Sequence, residues 1–266
     1  MIPKHLQSPS RNDQFKPYPT SHIFGIQLSK MSMVETIAYL TQAIASSQTI
    51  QVITANPIMI MSALEDPDLM EIMQQAELIV PDGAGLVWAS KYLQDPVSER
   101  VAGFDLLHEL LQVGNLKEWK VYLLGATKEI AENAARQLQM KYSSIRIVGV
   151  QHGYFDEHED HRIIQDIRNA QPHLLFVARS ADKQEKWIAA NKELLNVPVM
   201  IGVGGSFDVI AGKLKRAPFI WRQLRLEWLF RLLQEPRRYK RMFALPNFII
   251  RTYTEKKNPY QHYNHH

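Results

Sequence analysis

Short apolar runs rich in valine and isoleucine recur along the chain, each followed by turn residues and then by apolar positions at helical spacing. The runs are Ile50 to Thr54, Leu78 to Val80, Val121 to Leu124, Ile145 to Val150, Leu174 to Val177 and Val199 to Val203. Helical patterns lie among them, as at Glu129 to Tyr142, His161 to Ala170 and Gln184 to Leu195, and Met33 to Ser46 precedes the first run. His22 to Ser29, HIFGIQLS, reads as one more short strand. Strands alternating with helices predict an α/β fold, a doubly wound, mostly parallel sheet of the Rossmann-like kind. Ligands of such sheets sit beyond the carboxyl ends of the strands. The residues after each run are therefore the ones to weigh for chemistry.

A different pattern begins after Gly212. From Lys213 to Lys257, thirteen Lys and Arg stand against three Asp and Glu, a local balance of +10 in a chain whose total is +4. The remainder is therefore mildly acidic, and the segment reads as a C-terminal basic helical appendage that seeks phosphates. Two helices can be drawn through it, opened by Pro218 and Pro236 in the favoured first turn. In the second, Tyr239, Met242, Phe243, Pro246, Ile249, Ile250 and Tyr253 form an apolar line that Pro246 is expected to kink or break. A basic helix with an aromatic apolar side suits a membrane interface. It also suits a terminal helix packed on its own core with a solvated basic face. A nucleic-acid groove fits less well, because Trp221, Trp228 and Phe230 interrupt the cations.

Length and composition bound the rest. The 266 residues allow one domain with an appendage, and the absence of cysteine excludes disulfides, thiol nucleophiles and thiolate metal sites. The first twenty residues lack the apolar stretch of a secretory signal and read as a flexible leader. Thr36 to Leu64 carries no charge, but glutamines and serines interrupt it too often for a spanning helix. The expected organisation is a leader over 1–22, the α/β domain over 23–212, the basic segment over 213–257 and a tail over 258–266.

Among the loops, Gly125-Ala126-Thr127 reads either as a tight turn or as a nucleotide contact; it lacks the spacing of a dinucleotide-binding loop. Gly204-Gly205-Ser206 is the better anion loop, with two glycines ahead of a helix. Asp66-Pro67-Asp68 formally matches a DxD metal motif, yet Asp66 is a natural helix N-cap with Pro67 in the first turn. His152, Asp156, His158, Asp160 and His161 lack ligand spacing and read as a solvated loop, and His262, His265 and His266 fall in the polar tail. Asp82 follows an apolar run and precedes Gly83 and Gly85, at the mouth of the sheet. It reads as a helix N-cap or as a carboxylate placed to take a proton from a hydroxyl.

Several patterns, in order along most of the chain, resemble those of the WecG/TagA/CpsF glycosyltransferases. They are T-x-N at Thr54 and Asn56, the pair Asp82-Gly83, and E-R-V-x-G with a following aspartate at Glu99 to Asp105. Next come Val121 to Gly125, G-Y-F at Gly153 to Phe155, K-Q-E-K-W at Lys183 to Trp187, and the stretch from Val203 to Pro218. The last is L-E-W-L-x-R-L-x-x-E-P-x-R-x-x-R, Leu226 to Arg241. The resemblance implies inverting transfer of a hexosamine-type sugar, such as N-acetylmannosamine, from a UDP-sugar to a polyprenyl-diphosphate-linked N-acetylglucosamine. It implies envelope polysaccharide synthesis, of which wall teichoic acid is one product, with no metal and no cofactor. Asp82 matches the family's proposed general base. Thr54, Asn56, Arg100 and Gln184 match residues around donor and acceptor, and Arg231, Arg238 and Arg241 match those thought to meet the lipid diphosphate. Arg100, Gly204 and Gly205 are where the leaving UDP would be stabilised.

The implied partners are the UDP-sugar, the lipid-linked acceptor and the membrane surface, with the protein cytoplasmic and peripheral on the inner face of the plasma membrane. Nucleic acid is not among them, and a homo-oligomer stays open. One departure stands out. Where the family commonly has a glycine-rich G-x-G-x-P before K-Q-E, this chain has Ala178, Ser180 and Asp182, and side chains replace open backbone. That leaves room for a different donor, with Arg179 serving a sugar carboxylate, or for a non-catalytic member that has lost donor binding.

Overall fold

A computed structural model describes residues 18–257. Of the expected leader and tail, 1–17 and 258–266 lie outside the described residues, and His262, His265 and His266 with them. The first element differs from expectation. HIFGIQLS contributes to two antiparallel strands, β1 (Thr20–Ile23) and β2 (Ile26–Ser29). Phe24 at φ 51° and Gly25 at φ 79° form the two-residue turn between them, the left-handed pair that matches the twist of a hairpin.

The chain then runs through α1 (Met33–Ala45), β3 (Ile50–Ala55), α2 (Pro57–Glu65), α3 (Pro67–Gln75), β4 (Leu78–Pro81), α4 (Ala84–Tyr92) and α5 (Gly103–Lys117). It continues with β5 (Lys120–Gly125), α6 (Lys128–Lys141), β6 (Arg146–Gln151), α7 (Glu157–Ala170), β7 (Leu174–Ala178), α8 (Ala181–Leu195), β8 (Val199–Gly202) and α9 (Ser206–Ile210). Strands β3 to β8 form one six-stranded sheet in the order β4-β3-β8-β7-β5-β6, and every pairing is parallel.

The apolar runs are nearly continuous because both faces of the sheet are covered, save at edge strand β6, which is only half-buried. Val52, Val121, Leu123, Phe176 and Ile201 point to one core, shared with α1, α5 and α6. Their neighbours alternate to the other face. Ile53 and Ile79 meet the hairpin, α2, α3 and α4, while Tyr122, Leu175 and Met200 meet α7 and α8.

Beyond Gly212 the two expected helices are instead three short ones, a 3-10 turn and one 14-residue helix. They are α10 (Phe219–Gln223), α11 (Glu227–Gln234), a single 3-10 turn at Pro236–Arg238, α12 (Tyr239–Met242) and α13 (Ala244–Lys257). Pro218 is the N-cap of α10, and Arg225, left-handed at φ 59°, separates α10 from α11. Pro246 falls in the first turn of α13, where its missing N–H has no helical acceptor to lose. Phe248 and Thr252 are fully buried and fasten α13 to the body, with Phe248 in the core beside α2. The apolar line read from the sequence faces outward instead, with Phe243, Ile250 and Tyr253 exposed.

Candidate functional site

The register of the sheet builds the site. Ala55 pairs with Pro81, so Asn56 and Asp82 leave neighbouring strands at one level, and the Asp82 N–H donates to the Ala55 carbonyl at 2.7 Å. Asn56 caps α2, its Oδ1 accepting from the N–H groups of Ile58 and Met59. The N-termini of α2 and α4 meet here, and only glycine fits between them. A Cβ on Gly83 would lie 2.4 Å from Pro57 Cδ, and one on Gly85 2.7 Å from Pro57 Cγ. Gly83 itself is the N-cap of α4, with no side-chain cap. The N-cap reading of Asp82 therefore falls away, and its carboxylate is free to face the cleft.

Arg100 reaches Asp82 because the N–H of Val101, a buried residue, donates to the Pro81 carbonyl at 2.9 Å. Arg100 Nε donates to the Asp82 carbonyl at 2.8 Å, and Nε and Nη2 both donate to Asp82 Oδ1, at 3.3 and 3.1 Å. The Gly103 N–H at the start of α5 adds a backbone donor. The Asp82 carboxyl stands at about 6, the net of burial and Glu227, which push it up, and Arg100 and the Gly103 N–H, which pull it down. A quarter of the Asp82 side chain remains exposed, on the wall of the cleft.

The cleft above these strands encloses about 1230 Å³, roofed by the segment from Leu214 to Ile249. Its wall brings together every expected site residue: Thr54, Asn56, Asp82, Arg100, Gln184, Gly204, Gly205, Arg231, Arg238 and Arg241. Not all stand as expected. The Thr54 hydroxyl donates to the Gly202 carbonyl at 3.2 Å, which ties β3 to β8. Gln184 is buried, and its Oε1 accepts from the Gly204 N–H at 3.0 Å.

That bond corrects the reading of Gly204-Gly205 as an open anion loop. The Gly204 N–H is already engaged, and the Ser206 N–H donates to the Val203 carbonyl at 3.1 Å. Gly204 is needed for its left-handed φ of 51°, with open space around it. Gly205 is needed for contact, since a Cβ there would lie 2.0 Å from Arg231 Nη2. The loop seats a guanidinium.

Three acidic residues escaped the sequence reading. Glu227, at the start of α11, pairs with Arg100 Nη1. Glu235 accepts from Arg231 Nε at 3.1 Å and from Arg238 Nη1 at 3.0 Å. Glu185 is fully buried beneath the site, accepting from Gln184 Nε2 at 2.9 Å and Gln51 Nε2 at 3.1 Å, and burial raises it to about 7. The only signal for any of them was membership in an extended motif, L-E-W-L-x-R-L-x-x-E-P or K-Q-E.

The other candidates take structural places. Asp66 caps α3, accepting from the Leu69 N–H at 3.2 Å, and with Asp68 it faces Lys186. Gly125, at φ 136°, packs so tightly on Ala178 that a Cβ would lie 2.3 Å from the Ala178 carbonyl oxygen, and Thr127 caps α6. Asp156 caps α7 and Asp160 accepts from Trp187 Nε1 at 2.8 Å. Arg179, in the stretch that departs from the family pattern, lies 4.4 Å over the Phe155 ring and lines the cleft.

A carboxylate of raised proton affinity facing a wall of guanidiniums, at the carboxyl ends of a parallel sheet, is the layout of a group-transfer enzyme for phosphate-bearing substrates. The chain belongs to the Glycosyl transferase WecG/TagA/CpsF family, whose model matches residues 21–262, and it is a glycosyltransferase. Among its relatives are the N-acetylglucosaminyldiphosphoundecaprenol N-acetyl-beta-D-mannosaminyltransferases of Staphylococcus aureus strains MW2, NCTC 8325 and MRSA252. Each is 35% identical over 237 residues, 88% of this chain and 92% of theirs.

Proposed function

We propose that the protein transfers an N-acetylmannosamine-type sugar from a UDP-sugar to polyprenyl-diphosphate-linked N-acetylglucosamine, by a single inverting displacement with Asp82 as general base. The observation that carries this is the Asp82 carboxylate, raised to about 6 and open to the arginine-walled cleft. The acceptor and the sugar follow from the names of its relatives, which share most of its length.

In the proposed step the acceptor hydroxyl attacks the anomeric carbon and gives its proton to Asp82, while the bond from that carbon to the UDP oxygen breaks. Arg100 and Arg231 stand where they can offset the charge that develops on the departing diphosphate, so a divalent ion is not required. Arg238 and Arg241 lie further along the roof and suit the diphosphate of the lipid acceptor. Among the described residues no helix is long and apolar enough to cross a membrane. The segment nevertheless exposes Phe219, Ile220, Leu224, Leu233, Phe243 and Ile250, each more than 60% accessible, among its cations. This supports a protein lying on the inner face of the plasma membrane.

The test is UDP release by the purified chain across a panel of UDP-sugars, with and without a short-chain polyprenyl-diphosphate N-acetylglucosamine. Acceptor-dependent release with a UDP-N-acetylhexosamine is expected. Because Arg179 lines the cleft, UDP-uronic acids belong in the panel, and release with these alone would correct the donor. Release with no donor, by folded protein, would overturn the reading.

A further inference from the structure

Arg100 is shared between two carboxylates carried by different parts of the chain. Its Nε and Nη2 are directed at Asp82, in the loop after β4, and its Nη1 at Glu227, on the first turn of α11. A guanidinium presents its donors in a rigid planar fork, so fixing one nitrogen fixes the direction of the rest. With Nη1 held by Glu227, the side-chain bonds from Arg100 fall on Asp82 Oδ1 and none falls on Oδ2. Arg100 thus engages one carboxylate oxygen and leaves the other clear of its fork.

We propose that Glu227 is a positioning residue for the transfer and the latch between the C-terminal segment and the base. By holding Arg100 it orients Asp82, and by sharing the guanidinium's charge it keeps Asp82 basic. The inference rests on the reading of Asp82 as general base. It makes seating of α11 over the cleft and readiness of the base one event: without Glu227, Arg100 turns wholly to Asp82, which becomes a weaker base.

The ionised groups acting on Asp82 are these two, Arg100 from the loop before α5 and Glu227 from α11, beside the Gly103 N–H. Two neighbouring wall charges are matched elsewhere, Asp105 with Arg216 and Arg231 with Glu235. Glu227 also sits where a helix N-terminus favours an acidic side chain. A residue serving only that purpose would leave the proton affinity of Asp82 unchanged, so the two roles predict different results.

The test compares the full chain with Glu227→Gln, Glu227→Asp and Arg100→Gln. In kcat/KM against pH, Glu227→Gln should move the acid limb down by about half to one pH unit and lower the plateau several-fold. Glu227→Asp, which keeps the charge, should return the limb toward wild type. Independently of turnover, amide hydrogen exchange over 227–234 should rise about tenfold in Glu227→Gln and in Arg100→Gln, and no further in the double variant. A lowered plateau with the limb unmoved would overturn the positioning role. Exchange unchanged in Glu227→Gln, or additive in the double variant, would overturn the latch. A wild-type chain without acceptor-dependent turnover would sink the transferase reading and the positioning role with it, while the exchange data would still decide the latch.

Discussion

In the proposed transfer Asp82 serves as a base near neutral pH, since opposing influences leave its carboxyl at about 6, above an ordinary aspartate. Ionised above about 6, it should give kcat/KM an acid limb near that value, falling tenfold per unit below it. A pH profile with the limb near 4 would mean that a different group carries the proton. Glu185 carries a separate prediction. Its folded-state value of about 7 exceeds the ordinary 4.5, so the fold favours its neutral form. That contribution is complete below pH 4.5 and is lost as pH rises through 7, on the order of 3 kcal/mol in all. Glu185→Gln should therefore gain melting temperature relative to wild type between pH 5 and pH 8, and a constant difference across that range would count against it. At this scale the sequence offered Asp82 as an N-cap or a base from its place after an apolar run, and the cap of α4 falls instead to Gly83. The sequence concealed Glu227 and Glu185, whose partners Arg100 and Gln51 lie 127 and 134 positions away.

Among the elements, the junction of α2 with α4 is the most demanding. Gly83→Ala would set a methyl group against Pro57 and push Asp82 from its place beside Arg100. The expected result is a loss of about 1 to 3 kcal/mol in stability with a fall in kcat, read by thermal melting and turnover. Gly205→Ala would meet a flexible guanidinium instead, so it should displace Arg231 and weaken substrate binding with little change in melting temperature. The strands were legible because most of the sheet is covered on both faces and most positions in a run are apolar, with Gln51, Thr54 and Arg146 as exceptions. The hairpin was read as one strand because Phe24 is an unusual residue for a left-handed turn. The loop at Gly204-Gly205 was misread because glycines show where backbone can approach closely, and nothing local shows that Gln184 already holds the Gly204 N–H. The basic segment was drawn as two helices since its periodicity survives breaks such as that at Arg225.

Over the whole molecule, charge and apolar exposure are divided. The mildly acidic α/β body carries Asp82, and the basic segment supplies the roof, three of the expected arginines and most of the exposed large apolar side chains among the described residues. The paired substitution Phe219→Ser and Ile220→Ser should reduce binding to vesicles containing phosphatidylglycerol roughly tenfold, without lowering the melting temperature. Undiminished flotation with such vesicles would place the membrane contact elsewhere. The charge division could be read by counting residues. Its folding back over the strand ends could not, because it depends on Phe248 entering a core that residues far earlier in the chain build. The proposed transfer turns on Asp82, and Asp82→Asn tests it most directly. Acceptor-dependent UDP release at pH 7.5 should fall about 10²- to 10⁴-fold in that variant while UDP binding is retained. A rate within a few-fold of wild type, with binding intact, would show that Asp82 does not take the proton.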